Sequence, residues 1–341
     1  MNSSIEVDNL SKVFRGGIRA VDGISFSVGQ GEIFGFLGPN GAGKSTTIMM
    51  LTTLLRPTSG RAVVAGHELQ QKPDAVRRSI GYIPQELSAD DYLSGIENLY
   101  LQSGFYHIPK KEFCRRKEDL LELVGLTERA NDRVETYSGG MRKRLDIACA
   151  LLHRPKVLFL DEPTLGLDIQ TRQQIWQYVR RLRESEQMTL FLSTHYMEEA
   201  DLLCDRIAII DNGRIKALDT PDALKKELGG EVVTMQYDRP GPEQVTQLRE
   251  CLAALPIVRQ VSVNEDTCVA AVSSSGNAVP EMFGCVQNLG IAVRSVALKK
   301  PSLDDVYLSH TGKNLRDSGG NGKKQAGSHP HSSHHPHKMG R

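Results

Sequence analysis

The chain has 341 residues, 39% apolar and 24% charged, the make-up of an ordinary globular protein of about two domains. Its 42 basic and 41 acidic residues leave a net charge of +1, so composition gives no sign of nucleic-acid binding. Apolar runs such as Val157–Leu160 and Ile207–Ile210 are short, and no stretch approaches the ~20 residues of a membrane span. The N-terminus is polar and lacks the apolar core of a signal peptide, so the chain is expected to stay in the cytoplasm. The six cysteines are scattered and form no C-x-x-C pair, so neither a zinc site nor a disulfide framework is expected. Cys149 and Cys204 lie in apolar surroundings and read as small core residues.

Residues 5–37 read as short strands joined by turns. Ile5–Leu10 and Ile24–Val28 alternate, and Gly16-Gly17 marks a turn between them. Phe14 reads, on residue physics alone, as a half-buried strand residue. Ile33 to Leu37 is an apolar strand, and Lys44 to Leu55 is a helix. Between them, Gly38 to Ser45 match G-x-x-x-x-G-K-[ST] in full. Gly38, Gly41 and Gly43 allow backbone dihedrals closed to other residues, so the loop can wrap a phosphate chain. The N–H groups of Asn40, Gly41, Ala42, Gly43 and, on into the helix, Thr46 face an anion at a helix N-terminus, while Pro39, which has no N–H, belongs to the same loop. Lys44 supplies a point charge for the β- and γ-phosphates, and the Ser45 hydroxyl is placed to hold Mg²⁺. The chain is expected to bind a nucleoside triphosphate.

Arg61–Gly66 reads as a strand ending in a turn, and Ile80–Ile83 as a short buried strand stopped by Pro84. Gln85 then sits at a strand end, where an open α/β sheet presents ligand-facing residues. From about 86 to 155 the character turns helical, as an insertion in the nucleotide-binding core. Ser94-Gly95-Ile96-Glu97 is a capping box, and Lys111–Val124 is amphipathic. Ser138-Gly139-Gly140 opens a helix to about His153. Val157–Leu160 is a buried strand ending in Asp161-Glu162, the place for a Mg²⁺ ligand opposite a phosphate loop. Ile175–Leu182 is helical, Thr189–Ser193 is a buried strand ending in Thr194-His195, and Arg206–Ile210 pairs with Arg214–Leu218 as a hairpin.

A second domain is expected from about Pro221. Its order of strand, helix, two strands, helix and strand suggests a small ferredoxin-like α+β sandwich, followed by a closing helix at Ser302–Ser309. It shows no catalytic constellation and reads as an accessory, regulatory or purely structural extension. Residues 313–341 are a polar tail holding His329, His331, His334, His335 and His337. A disordered, solubilising tail and a transition-metal binder are the two readings of this composition.

Separation between motifs narrows the nucleotide-binding class. Gln85 follows the phosphate loop; Tyr137-Ser138-Gly139-Gly140-Met141 precedes Asp161-Glu162; Leu165-Gly166-Leu167-Asp168 and then His195 follow. Residues 4–220 therefore resemble the ATP-binding cassette (ABC) ATPases. That resemblance implies an α/β fold: a P-loop, RecA-like nucleotide-binding domain over 1–220 with a helical subdomain over about 86–155. An accessory domain over 221–312 and the tail over 313–341 complete the expected organisation.

The resemblance also implies roles. Gly38 to Thr46 looks like the Walker A loop and Asp161 like the Walker B ligand of Mg²⁺. Glu162 looks like the general base. Gln85 looks like the glutamine that contacts Mg²⁺ and attacking water and senses a membrane partner. Ser138, Gly139 and Gly140 look like the signature that cradles the γ-phosphate of ATP held by the opposite subunit, with Tyr137 and Met141 departing from the commoner Leu and Gln. Asp168 looks like a residue crossing a dimer interface, and His195 like the histidine on the γ-phosphate. Phe14 becomes the candidate for stacking on adenine, where Tyr is more usual.

Tyr137–Ala148, Val157–Asp168 and the closing Pro301–Tyr307 resemble the daunorubicin/doxorubicin-resistance exporter ATPases, and this likeness runs to about residue 312. It implies an ATP-dependent head-to-tail homodimer on the cytoplasmic face of a membrane. A separate permease subunit would form the pathway, with drug-like, polysaccharide, lipid and peptide substrates open. An importer ATPase and a soluble, non-transport ABC switch are the alternatives.

Overall fold

The computed structural model describes residues 3–228, 231–273, 275–299 and 301–312. The His-rich tail and its two readings lie outside the described residues.

Strands β1 (Ser3–Val13) and β2 (Arg19–Gly29) pair antiparallel around the Gly16-Gly17 turn. Strand β3 (Ile33–Leu37) leads into the phosphate loop, and α1 (Lys44–Leu51) leads out. Then come β4 (Ser59–Val64), β5 (His67–Glu68), α2 (Pro73–Ser79) and β6 (Ile80–Ile83). Three helices follow before the next strand: α3 (Gly95–Phe105), α4 (Lys110–Leu123) and α5 (Gly139–Leu151). The core resumes with β7 (Val157–Asp161), α6 (Ile169–Glu186), β8 (Thr189–Thr194), α7 (Met197–Leu203), β9 (Arg206–Asp211) and β10 (Arg214–Asp219). The remainder is α8 (Pro221–Glu227), β11 (Glu231–Tyr237), α9 (Pro242–Ala253), β12 (Val258–Val263), β13 (Thr267–Val272), α10 (Ser275–Asn288), β14 (Val293–Lys299) and α11 (Leu303–Thr311).

These strands build three sheets. An antiparallel sheet has the order β2-β1-β4-β5, and a six-stranded sheet the order β10-β9-β3-β8-β7-β6. Within the second, β9, β3, β8, β7 and β6 run parallel and only β10 is antiparallel. Strands β3, β7 and β8 are buried along their whole length, which is why they read as unbroken apolar runs. Their side chains alternate between two cores. Phe34, Phe36 and Phe191 meet Phe26 under the antiparallel sheet and Phe159 meets Phe191, with ring centroids 5.3–6.0 Å apart. Ile33, Leu37, Leu158, Leu160, Leu190 and Leu192 face the other way, toward α5, α6 and α7. Burial on both faces fixes the register of this sheet, because a one-residue slip would exchange the two cores.

The third sheet, β12-β13-β11-β14, is antiparallel throughout and has its own core of Val233, Met235, Tyr237, Leu248 and Met282. Helix α11 packs back onto α7 and α8, and its Leu303, Val306 and Tyr307 join the core of the parallel sheet.

Cys251 and Cys285 form a disulfide between α9 and α10, although none was expected. They lie 34 residues apart, and only the packing of the two helices brings their Cα atoms to 6.0 Å. Helix α1 ends at Leu51, not Leu55: Thr52 turns its hydroxyl back onto the Ile48 carbonyl, and Thr53 is left-handed at φ 65°. Phe14 lies just beyond β1, in the turn, and is 39% exposed instead of half-buried in a strand.

Candidate functional site

Parallel order brings the C-terminal ends of β3, β6, β7 and β8 to one edge of the sheet. The phosphate loop, Gln85, Asp161-Glu162 and His195 follow those four ends, the edge where open α/β sheets bind ligands. The loop closes onto α1 through Gly43, whose φ of 108° and close approach to the Ala20 carbonyl admit no side chain.

Two sets of bonds join seven of the expected residues. Lys44 is buried, and its Nζ donates to the carbonyls of Gly38 at 2.8 Å and Pro39 at 3.0 Å. Its third contact is the Glu162 carboxylate, with Oε1 at 3.0 Å. His195 Nδ1 lies 3.1 Å from the other oxygen of Glu162. An ionised carboxylate only accepts, so the imidazole donates through Nδ1 and keeps Nε2 for a ligand. Ser45 Oγ donates to Asp161 Oδ1 at 3.1 Å. Burial pushes the Glu162 carboxyl up, but the His195 hydrogen bond and the Lys44 charge outweigh it and hold it below the ordinary 4.5. Glu162 also sits at φ 47°, a left-handed backbone that costs a non-glycine residue about 1–3 kcal/mol and is concentrated at functional sites.

Ser193 escaped the sequence reading. Its hydroxyl donates to Asp161 Oδ1 at 2.5 Å and accepts from the Glu162 amide at 3.1 Å, so it orients both acidic residues. Glu199 escaped too. It is fully buried on α7, and its Oε1 accepts from Thr164 Oγ1 at 2.9 Å and Trp176 Nε1 at 2.8 Å. It thereby ties the loop after β7 and helix α6 to the segment that follows His195. A glutamate inside Met-Glu-Glu-Ala-Asp looks in sequence like a solvated helix residue, and only its packing distinguishes it.

The other expected residues stand outside this bonded cluster. Ser138 caps α5, its Oγ accepting from Met141 N at 3.2 Å, and both Ser138 and Gly139 are exposed. Asp168 caps α6, accepting from Thr171 N at 2.9 Å and Thr171 Oγ1 at 2.7 Å. Those bonds hold the Asp168 carboxyl below its ordinary range. The two helix N-termini lie side by side, because a Cβ on Gly140 would collide with the Thr171 methyl. Gln85 is exposed, and its carbonyl accepts from Lys143 Nζ at 3.4 Å. Phe14 carries Lys12 Nζ 5.4 Å from its ring centroid. Among the described residues no cluster of three or more His, Cys, Asp or Glu side chains could hold a metal, and no helix is long and apolar enough to cross a membrane.

Residues 21–165 match the ABC transporter family model. The daunorubicin resistance ATP-binding protein DrrA3 of Streptomyces coeruleorubidus is 40% identical over 92% of this chain and 98% of its own length. The linearmycin resistance ATP-binding protein LnrL of Bacillus subtilis strain 168 is 38% identical over 92% of this chain and all of its own length. Among solved structures, the dimeric ATP-binding cassette MJ0796, in a post-hydrolysis state bound to ADP and Pi, superimposes with a TM-score of 0.58 at 26% identity. It covers 63% of this chain and 98% of that one. The chain belongs to the ABC transporter ATP-binding proteins, ATPases that hydrolyse ATP for transport, and within them to the daunorubicin/doxorubicin-resistance type.

Proposed function

We propose that this chain is the ATP-hydrolysing subunit of an exporter for drug-like compounds, working as a head-to-tail homodimer beneath a separate permease. The substrate class rests on the relatives, whose names speak of resistance to daunorubicin and linearmycin and of Nod factor export. The observation that carries the ATPase half is Glu162, buried at 6% exposure between Lys44 and His195.

All three Lys44 protons are occupied, by two loop carbonyls and Glu162. Phosphate oxygens of ATP would take Glu162's place on Lys44 and free that carboxylate to orient and deprotonate the attacking water. His195 would meet the γ-phosphate with its Nε2 edge while Glu162 holds the ring through Nδ1. Phe14 would stack on adenine. Gln85 would contact the water and the metal.

A Mg²⁺ ion fits the site. Ser45 Oγ and Asp161 Oδ1 are 3.1 Å apart, and neighbouring ligands of an octahedral Mg²⁺ with 2.0–2.1 Å bonds are separated by about 3 Å. One hydroxyl and one carboxylate, completed by phosphates and water, is the donor set Mg²⁺ takes in nucleotide sites. When bound, held by Ser45 and Asp161, the ion would supply positive charge to neutralise what develops on the phosphates.

The exposed N-termini of α5 and α6, with Ser138 to Gly140 and Asp168, would complete the partner's site. We assign 1–220 to the ATPase, with about 86–155 as its helical subdomain, and 221–312 to an accessory domain. The strand order β12-β13-β11-β14 over a βαββαβ chain supports a ferredoxin-like fold for the latter. Glu162→Gln is expected to bind ATP and become a stable dimer on size exclusion, with kcat lower by about 10²–10⁴. Wild-type turnover in that variant would overturn the assignment of the base. An N-terminally tagged chain is expected to co-purify from detergent extracts with one polypeptide of several membrane spans; recovery with no such partner would overturn the exporter reading.

A further inference from the structure

Helix α5 carries two charged side chains that are almost wholly buried, Lys143 and Asp146, each 3% exposed. Charged groups are rarely buried unless bound. Both are spent on one six-residue loop, 84–89. Lys143 Nζ donates to the carbonyl of Pro84 at 2.6 Å and of Gln85 at 3.4 Å, at the start of the loop. Asp146 accepts from Ser88 Oγ at 2.7 Å, Ala89 N at 3.0 Å and Ser88 N at 3.3 Å, at its end. A cation grips carbonyls and an anion grips amides, three residues apart on one helix face. The loop carries Gln85. The helix begins, about 4–12 Å away along its axis, at Ser138 to Gly140.

We propose that Lys143 and Asp146 are positioning residues that lock the Gln85 loop to α5, so that Gln85 is delivered to its own nucleotide only when α5 is seated. The proposal rests on the roles assigned above to Gln85 and to the N-terminus of α5. That N-terminus meets the opposite nucleotide, so the clamp makes hydrolysis at one site depend on engagement at the other. Leu87, 46% exposed, lies between the two grips and moves with them. Whatever displaces this segment also displaces α5.

The test compares Lys143→Met, Asp146→Asn, Lys143→Arg and the double variant Lys143→Met/Asp146→Leu. Removing both charges together leaves no lone buried charge, so the double variant keeps the fold where a single one fails. Three quantities are read: ATP Kd, kcat, and amide hydrogen exchange at residues 84–89. The expected result is faster exchange at Ser88 and Ala89 in the Asp146 variants, and kcat lower by about 10- to 100-fold with Kd within about twofold of wild type. Lys143→Arg should restore most of kcat, since it keeps a buried donor. Unchanged exchange in the double variant would overturn the clamp. Faster exchange with wild-type kcat would overturn its catalytic consequence. Gln85→Ala separates the two layers. If it turns over like wild type, the role of Gln85 fails. If it is slow while the clamp variants are not, the clamp alone fails.

Discussion

Glu162 pairs with Lys44 on one oxygen and His195 on the other, and it does so from a left-handed backbone. Its carboxyl is held below 4.5, so ionised Glu162 stabilises the nucleotide-free fold at pH values above 4.5. That contribution is lost as pH falls from 4.5 through the folded-state value. In urea titrations the wild type should therefore be more stable than Glu162→Gln near neutral pH, and the gap should close below pH 4.5. Parallel stability curves down to pH 3 would contradict the ion pairing. Ser193 makes a second residue-scale case. Ser193→Ala removes a bond to Asp161 and one to the Glu162 amide, and should cost about 1–2 kcal/mol in an unfolding titration. The phosphate loop and the acidic pair could be picked out because their chemistry dictates residue type and spacing, whereas His195 entered only through the family resemblance. Ser193 could not, because a serine ending a buried strand carries no pattern of its own.

Among the elements, strands marked by apolar runs were legible and short helices were not. Strand β6 falls where the apolar run Ile80–Ile83 puts it. Helices α2, α7 and α8 have seven residues each, two turns at most, too few for an apolar face to repeat. Helix α6 begins at Ile169, well before the Ile175 expected, because its first turns are polar and its start is set by the Asp168 cap. The disulfide was hidden for a related reason, since only the meeting of α9 and α10 creates it. Glu199 shows what an illegible element can hold. Glu199→Ala should strand the Thr164 and Trp176 donors and cost about 2–4 kcal/mol, while Glu199→Gln keeps an acceptor and should cost less. Trp176 is the chain's single tryptophan, so its emission should move to the red in Glu199→Ala. Unaltered emission and stability would show that this carboxyl does not hold the elements together.

At the scale of the whole molecule, the catalytic cluster sits at the strand ends, while Ser138, Gly139 and Asp168 face outward from two adjacent helix caps. A helix N-terminus offered to solvent presents free amides and a dipole that favour an anion. ABC cassettes form dimers, as the MJ0796 cassette does. We propose that each active site of this protein is shared between two copies of the chain.

Mixing two inactive variants tests that claim most directly: Glu162→Gln, which lacks the base, and Ser138→Arg, which blocks the signature. A head-to-tail dimer of one of each carries one complete site and one doubly damaged site. At equal proportions, half the dimers are mixed, and turnover should recover to roughly a quarter of wild type. Turnover that stays at the level of the separate variants, at any mixing ratio, would contradict a shared site.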